Sequence, residues 1–199
     1  MAEVIPLLKA KVIRDIATED ECLLLVDYAK KITNWDPSGH PFWDRRVINT
    51  LTISRDNLRL AMLMSNIRER MRQKIKKVYD LDNEIYPDLL QLVRWPEGTS
   101  QPPHSDAYNI DGSPHVSPWR EYGSVVYLND DYEGGQTYYS NFDFEVQPVA
   151  GTLAVHPADL LHYHGVREVK GTTRYTLVSF WSTNRTHYDD LSTLGALND

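Results

Sequence analysis

Apolar side chains recur along this chain in two rhythms, and the change falls near Leu89. Before it, Leu24, Leu25, Tyr28, Ala29 and Ile32 return every three or four residues behind Thr18 and Glu21, a capping-box pair, which predicts a helix over about Glu19–Ile32. Leu60, Leu63, Met64, Ile67, Met71 and Ile75 repeat the rhythm and predict one buried face of a long helix over Asn57–Tyr79. Between them a polar segment, TNWDPSGHPFWDRR, leads to VINTLTI, which reads as a strand. After Leu89 come short runs rich in Val, Tyr, Thr and Leu: LLQLVRW, GSVVYLN, GQTYYS, FEVQPV, GTLAVHP, HYHGVREV and TRYTLVSFW. Gly, Asn, Asp and Pro punctuate them, as in a sheet of many short strands. Helices gathered before strands predict an α+β domain whose helices buttress one face of a sandwich or jelly roll. The stretch between Asp106 and Gly123 carries neither rhythm and is expected to be a long, functional loop.

With 199 residues the chain is long enough for a sizeable core, and a single domain is expected: a helical part over about 1–88, a strand-rich core over about 89–182 and a C-terminal tail over 183–199. A net charge of −7 argues against a nucleic-acid surface. The one basic run, NIRERMRQKIKKVYD, reads as a solvated helix face. The single cysteine, Cys22, excludes an internal disulfide and a cysteine-rich zinc site. No run approaches the ~18 apolar residues of a membrane span, and MAEVIPLLKAKVIRD lacks a signal-peptide core, so a cytoplasmic protein without membrane partners is expected.

Candidate chemistry begins at QPPHSDAYN, where His104 and Asp106 stand one residue apart. With seven histidines in the chain, chance supplies roughly 0.6 such triplets. A second, His187-Tyr-Asp189, stands among polar residues near the C-terminus with no histidine after it. A third ligand could come from His156, His162 or His164 in AVHPADLLHYHGVREV. His162 and His164 would share a face if that segment is extended, and only geometry chooses between them. Of the seven histidines only His164 has a basic residue ten positions on, Arg174, which opens the apolar strand RYTLVSFW. Pointing inward, that arginine would need a partner, because a buried unpaired charge is costly. Two imidazoles and one carboxylate on one side of an iron leave the opposite positions open, as in non-haem Fe(II) oxygenases. An arginine fork suits the far carboxylate of a chelating co-substrate. The ten-residue spacing, through a turn at Lys170-Gly171, is expected to set His164 and Arg174 on neighbouring strands.

The segments PPHSD, VVYLND, EGGQTYYS, VQPVAGTLAVHPA and HYHGVREVKGTTRYTLVSFW together resemble the prolyl 4-hydroxylase-like branch of the 2-oxoglutarate/Fe(II)-dependent dioxygenases, over about Leu89–Trp181. IRDIATEDECLLLVDYA is similar to that branch's opening helix. The resemblance implies a double-stranded β-helix (jelly roll) with N-terminal helices, His104, Asp106 and His164 as iron ligands, and Arg174 as partner of the distal carboxylate of 2-oxoglutarate. It implies that Tyr127 hydrogen-bonds the same carboxylate. Trp95 and Gln101 stand where the branch often carries aromatic hydroxyls, and both can still hydrogen-bond near the co-substrate. His162 is left as a rim histidine holding a carboxylate or a backbone carbonyl.

The activity so implied is hydroxylation of an unreactive C–H bond with Fe(II), 2-oxoglutarate and O₂, ascorbate supporting turnover, while 2-oxoglutarate is decarboxylated to succinate. The leading expectation for the substrate is a prolyl residue in a peptide or protein, with a small molecule open. The alternative is a non-catalytic jelly-roll module that binds a metal or ligand. Gly134-Gly135 in EGGQT reads as a tight turn between strands. Trp43, Arg45 and Trp119 lie in polar loops where they could contact substrate or pack the loop down. Asn34–Arg46 and Ala107–Tyr122 are expected to be mobile walls of the substrate site.

Overall fold

The structure is a computed structural model that describes residues 9–191. The start of the N-terminal stretch and the part of the tail beyond Leu191 lie outside the described residues.

Helix α1 covers Glu19–Lys31, and its start is the expected capping box: the Thr18 hydroxyl accepts from Glu21 N–H while the Glu21 carboxylate accepts from Thr18 N–H. The long helix, α3, covers Leu58–Val78 and is capped by Asn57, with Leu60, Met64, Ile67, Met71 and Ile75 buried along one face. Two expectations need correction. VINTLTI is a strand only over its first residues: β2 covers Val47–Asn49, and the Asn49 side chain then accepts from Thr52 N–H and caps α2, Thr50–Asp56. The basic face of α3 is not wholly solvated either, because Arg68 is buried and donates to Asp189 at 2.9 Å.

The first half also supplies a strand absent from the sequence reading, β1, Lys11–Ile13. The remaining strands are β3 (Tyr86–Pro87), β4 (Gln91–Trp95), β5 (Gln101–His104), β6 (Tyr122–Tyr127), β7 (Glu133–Gly134), β8 (Thr137–Tyr139), β9 (Phe144–Val146), β10 (Leu153–Pro157), β11 (His164–Val166), β12 (Val169–Lys170) and β13 (Arg174–Ser182). A single 3-10 turn, Arg185–His187, follows. The major sheet runs β1-β10-β6-β13-β4-β2, with β3 added on β13, and the minor sheet runs β5-β11-β8-β9. Among the described residues every strand pairing is antiparallel.

Period-two alternation gives the major sheet two different faces. Leu92, Val126, Leu153, Val155, Leu177 and Trp181 point outward into the core formed with α1, α2 and α3, so the helices do buttress one face. Val93, Trp95, Tyr127, Ala154, His156, Arg174 and Thr176 point inward, toward the minor sheet. Two facing antiparallel sheets with helices on one outer face are the expected jelly roll with buttressing helices.

EGGQT is not a hairpin turn. Strand β7 pairs with β12, whereas β8 pairs with β11 in the minor sheet. Both glycines have positive φ, and a Cβ on Gly134 would lie 1.9 Å from the Glu168 carbonyl oxygen, so close backbone approach requires glycine there.

Candidate functional site

His104 closes β5 and His164 opens β11, and the antiparallel register sets them directly opposite each other. Pro102 and Pro103 fit β5 because it is the edge strand of its sheet. Asp106 follows one serine after the strand end, 5% exposed. One ligand atom from each of the three lies within 4.8 Å of the others. The Asp106 Oδ1 atom is 3.6 Å from His104 Nε2 and 4.0 Å from His164 Nε2.

Each donor is aimed by a second contact. His164 Nδ1 lies 3.0 Å from the His162 carbonyl and His104 Nδ1 3.4 Å from that of Pro102, so N–H donation there leaves both Nε2 lone pairs free. On the carboxylate, His156 Nε2 lies 3.2 Å from Asp106 Oδ2, and Tyr139 Oη lies 2.9 Å from His156 Nδ1. A tyrosyl O–H donating to His156, whose own N–H donates to Asp106, fixes one carboxylate oxygen and leaves Oδ1 toward the two imidazoles. Gly123 is where this network meets β6: a Cβ there would stand 2.1 Å from Asp106 Oδ2 and 2.9 Å from His156 Nε2.

Electrostatics put the three groups in the state a cation needs. Burial, and then the charge of His164, push His104 down to about 4; burial, and then His156, push His164 down to about 4. Burial raises the Asp106 carboxyl, but His164, His156 and His104 outweigh it and hold it well below the ordinary carboxylate range. Two neutral imidazoles and one carboxylate at neutral pH are ready ligands for a divalent ion.

His162 is not part of this cluster. It is not on a strand face with His164; it stands in the turn before β11, 1% exposed. Its Nδ1 lies 2.7 Å from Asp159 Oδ1 and its Nε2 accepts from Lys9 N–H at 2.9 Å, so both ring nitrogens are spent. Of the two partners expected for it, a carboxylate or a backbone carbonyl, it meets the carboxylate, and it does so from a buried position, not at a rim. The other triplet is a chance pattern: Asp189 pairs with Arg68, and His187 stacks on Trp119 with centroids 3.6 Å apart.

The cluster opens into a cleft of about 680 Å³ between the sheets. Arg174 lines the same cleft, 1% exposed, with Nε and Nη1 buried and unpartnered. It does not sit on a strand neighbouring His164. Strand β13 belongs to the major sheet and β11 to the minor one, so the two residues face each other from opposite sheets. Trp95 and Thr176 line the cleft beside Arg174, and the Trp95 Nε1 and Thr176 Oγ1 atoms are likewise buried without partners. The Arg174 guanidinium carbon is 5.0 Å from the Trp95 ring centroid and 5.2 Å from that of Tyr127. The Tyr127 hydroxyl is 2.8 Å from Thr137 Oγ1, which also lines the cleft. Gln101 lines it too. A pocket in which two guanidinium nitrogens, an indole N–H and a hydroxyl are buried without partners among the described residues fits one end of a carboxylate ligand.

The outer walls come from the two loops expected to supply them. Phe42 and Trp43 form edge-to-face contacts with each other and with Trp95. Opposite them Arg120 lies 3.6 Å over the Phe180 ring and donates through Nε to Asp88 Oδ2. Of the three loop residues singled out from sequence, Trp43 lines the cleft, whereas Arg45 is exposed outside it and Trp119 donates to Asp88 and stacks on His187. Sequence reasoning missed Gly123, Tyr139 and Thr176. Each lies in an ordinary strand or turn sequence whose role comes from the packing alone.

A jelly roll with a His-Asp-His cluster and an unpaired arginine in one cleft defines a candidate metal centre with a carboxylate-binding pocket. Residues 90–182, just under half of the chain, match the family model described as the 2OG-Fe(II) oxygenase superfamily, a family that uses Fe(II), 2-oxoglutarate and O₂. Prolyl 3-hydroxylase 1 from Mus musculus is 23% identical over 170 residues, 73% of this chain, but the chain spans only about a quarter of that relative, 23% of its length. The viral collagen prolyl hydroxylase vCPH from Paramecium Bursaria Chlorella virus-1, solved as its 2OG complex, superposes with a TM-score of 0.62 at 16% identity, covering 86% of this chain and 94% of that one. A Trichoplax adhaerens prolyl hydroxylase, solved with a hypoxia inducible factor peptide fragment, gives 0.61 at 15% identity, covering 98% and 90%. Their likeness to this chain is one of fold.

Proposed function

We propose that this chain is a 2-oxoglutarate- and Fe(II)-dependent dioxygenase that hydroxylates a prolyl residue in a peptide or protein. The observation that carries the reading is Arg174: a fully buried guanidinium without a counter-charge, in the same cleft as His104, Asp106 and His164. A cation so placed costs several kcal/mol unless an anion meets it.

In this reading His104, Asp106 and His164 hold Fe(II), and Arg174 receives the far carboxylate of 2-oxoglutarate, with the Trp95 N–H and the Thr176 hydroxyl beside it. Tyr127 acts through Thr137, which its hydroxyl orients. The bound iron supplies the oxidation: 2-oxoglutarate and O₂ become succinate and CO₂ as one oxygen atom enters a substrate C–H bond. The protein's part is positional. His156 and Tyr139 fix the Asp106 carboxylate, the imidazoles stay neutral, and Phe42, Trp43 and Phe180 give the cleft apolar walls. A cleft open between two loops suits a polypeptide segment, and the printed names of the relatives point to prolyl residues.

The test is succinate release from 2-oxoglutarate with Fe(II) and ascorbate, with and without proline-containing peptides, followed by separation of 3- and 4-hydroxyproline in the product. Peptide-stimulated succinate with matching hydroxyproline is expected. Metal binding without turnover on any substrate would instead assign a binding module.

A further inference from the structure

The edge of the major sheet carries two cations with no carboxylate paired to them among the described residues. Val47 pairs with Val93, and Arg94 N–H donates to the Arg46 carbonyl at 2.9 Å, so Arg46 and Arg94 are cross-strand neighbours. Tyr175 stands opposite Arg94 on the next strand. Like charges directly opposite each other weaken a sheet. Here burial, and then the charge of Arg94, lower Arg46 below the ordinary arginine value.

Both guanidinium groups are nonetheless held in place. Arg46 lies 4.4 Å over the Phe42 ring, and Arg94 lies 4.5 Å over the Trp35 ring while its Nε donates to the Arg45 carbonyl at 3.0 Å. Among the described residues neither has a carboxylate within ion-pair distance, although Arg68, Arg70, Arg72, Arg120 and Arg167 each have one. The Arg46 Nη1 atom is buried and unpartnered, and so is Nε1 of Trp35, which is 2% exposed. The cleft has its own arginines, Arg120 and Arg174, and neither Arg46 nor Arg94 lines it.

We propose that Arg46 and Arg94 form a second oxyanion site, outside the cleft, that takes a phosphate-type group between the two guanidinium forks. Both forks, on cross-strand neighbours, are oriented by aromatic stacking, guanidinium N–H groups suit a phosphate, and an anion shared by the pair removes the repulsion across the strands. The phosphate could be free or carried on a polypeptide.

The probe is inorganic phosphate, titrated calorimetrically at constant ionic strength against chloride. It is titrated into the wild-type chain and into Arg174→Ala, in which the cleft's own unpaired arginine contributes nothing. Saturable binding is expected in both, weakened about tenfold or more by Arg46→Gln or Arg94→Gln, as expected for the loss of a charge-assisted hydrogen bond. A peptide with one phosphoserine tells the sources apart: affinity above that of inorganic phosphate assigns the polypeptide, equal or lower affinity the free ion. Arg46→Glu guards against a folding defect. It builds a counter-charge beside Arg94, so it should raise the Tm in phosphate-free buffer and abolish the rise that phosphate gives the wild type. Absence of saturable phosphate binding, binding that survives both glutamine variants, or a lower Tm for Arg46→Glu would overturn the proposal.

Discussion

The two faces of strand β13 carry opposite chemistry. On the outer face Leu177 and Trp181 are buried against the helices, and the one polar atom among them, Trp181 Nε1, donates to Ser124 Oγ at 2.7 Å. On the inner face Arg174 and Thr176 are as deeply buried, yet both keep unpartnered polar atoms. Each unmet group costs about 1–3 kcal/mol. The outer face therefore holds the fold together, and the inner face spends stability on groups that a ligand completes.

The largest effect that separates the faces is on metal-dependent turnover. His164→Ala should abolish it and lose the metal, while His162→Ala should keep a measurable fraction. The latter should cost roughly 1–3 kcal/mol of stability through its lost Asp159 and Lys9 contacts. Metal analysis under anaerobic conditions checks the pair, and iron lost from the His162 variant but kept in the His164 variant would reverse the assignment. Next in size is Leu177→Ala on the outer face, expected to cost about 2–5 kcal/mol in urea unfolding with no change in metal affinity of the folded fraction. A similar loss of metal affinity would erase the distinction between the faces.

Tyr139→Phe sharpens the comparison within the inner face. It removes the hydroxyl that orients His156 on Asp106 and should weaken metal binding about 10–100-fold with the fold retained. An unchanged metal affinity would show that Asp106 needs no such support.

The smallest expected effect is one of pH. His104 and His164 are pushed down to about 4 from an ordinary 6.5, so the folded metal-free protein keeps them neutral while the unfolded chain protonates them near 6.5. Their contribution is complete above about 6.5 and is lost as pH falls toward 4. The urea midpoint of the metal-free protein should fall between pH 7 and pH 5, less so in His164→Gln. A flat profile would contradict neutral ligands.

Much of this was legible in the chain, and the limit is physical. Helices α1 and α3 announce themselves because Thr18 and Asn57 are true caps and the apolar rhythm extends over many turns. The three ligand positions are legible because His-x-Asp and a later histidine carry chemistry in their residue types. VINTLTI misleads because β-branched residues suit a strand until Asn49 finds a helix N–H to accept from. The ten-residue spacing from His164 to Arg174 says nothing about sheets: the chain crosses from the minor sheet to the major one between them, through β12. Gly123 looks like any glycine, since its role is the space it leaves for the Asp106 carboxylate. The edge strand β1, three residues long, is too short for its rhythm to show.

Whether 2-oxoglutarate completes the inner face of the major sheet is decided at Arg174. Anaerobic calorimetry with Mn(II) as the metal, on the wild type and Arg174→Ala, separates the two ends of the cleft. In Arg174→Ala 2-oxoglutarate binding should weaken by about 3 kcal/mol, on the order of a hundredfold, while Mn(II) affinity stays within a few-fold. Unchanged 2-oxoglutarate affinity in Arg174→Ala would contradict it.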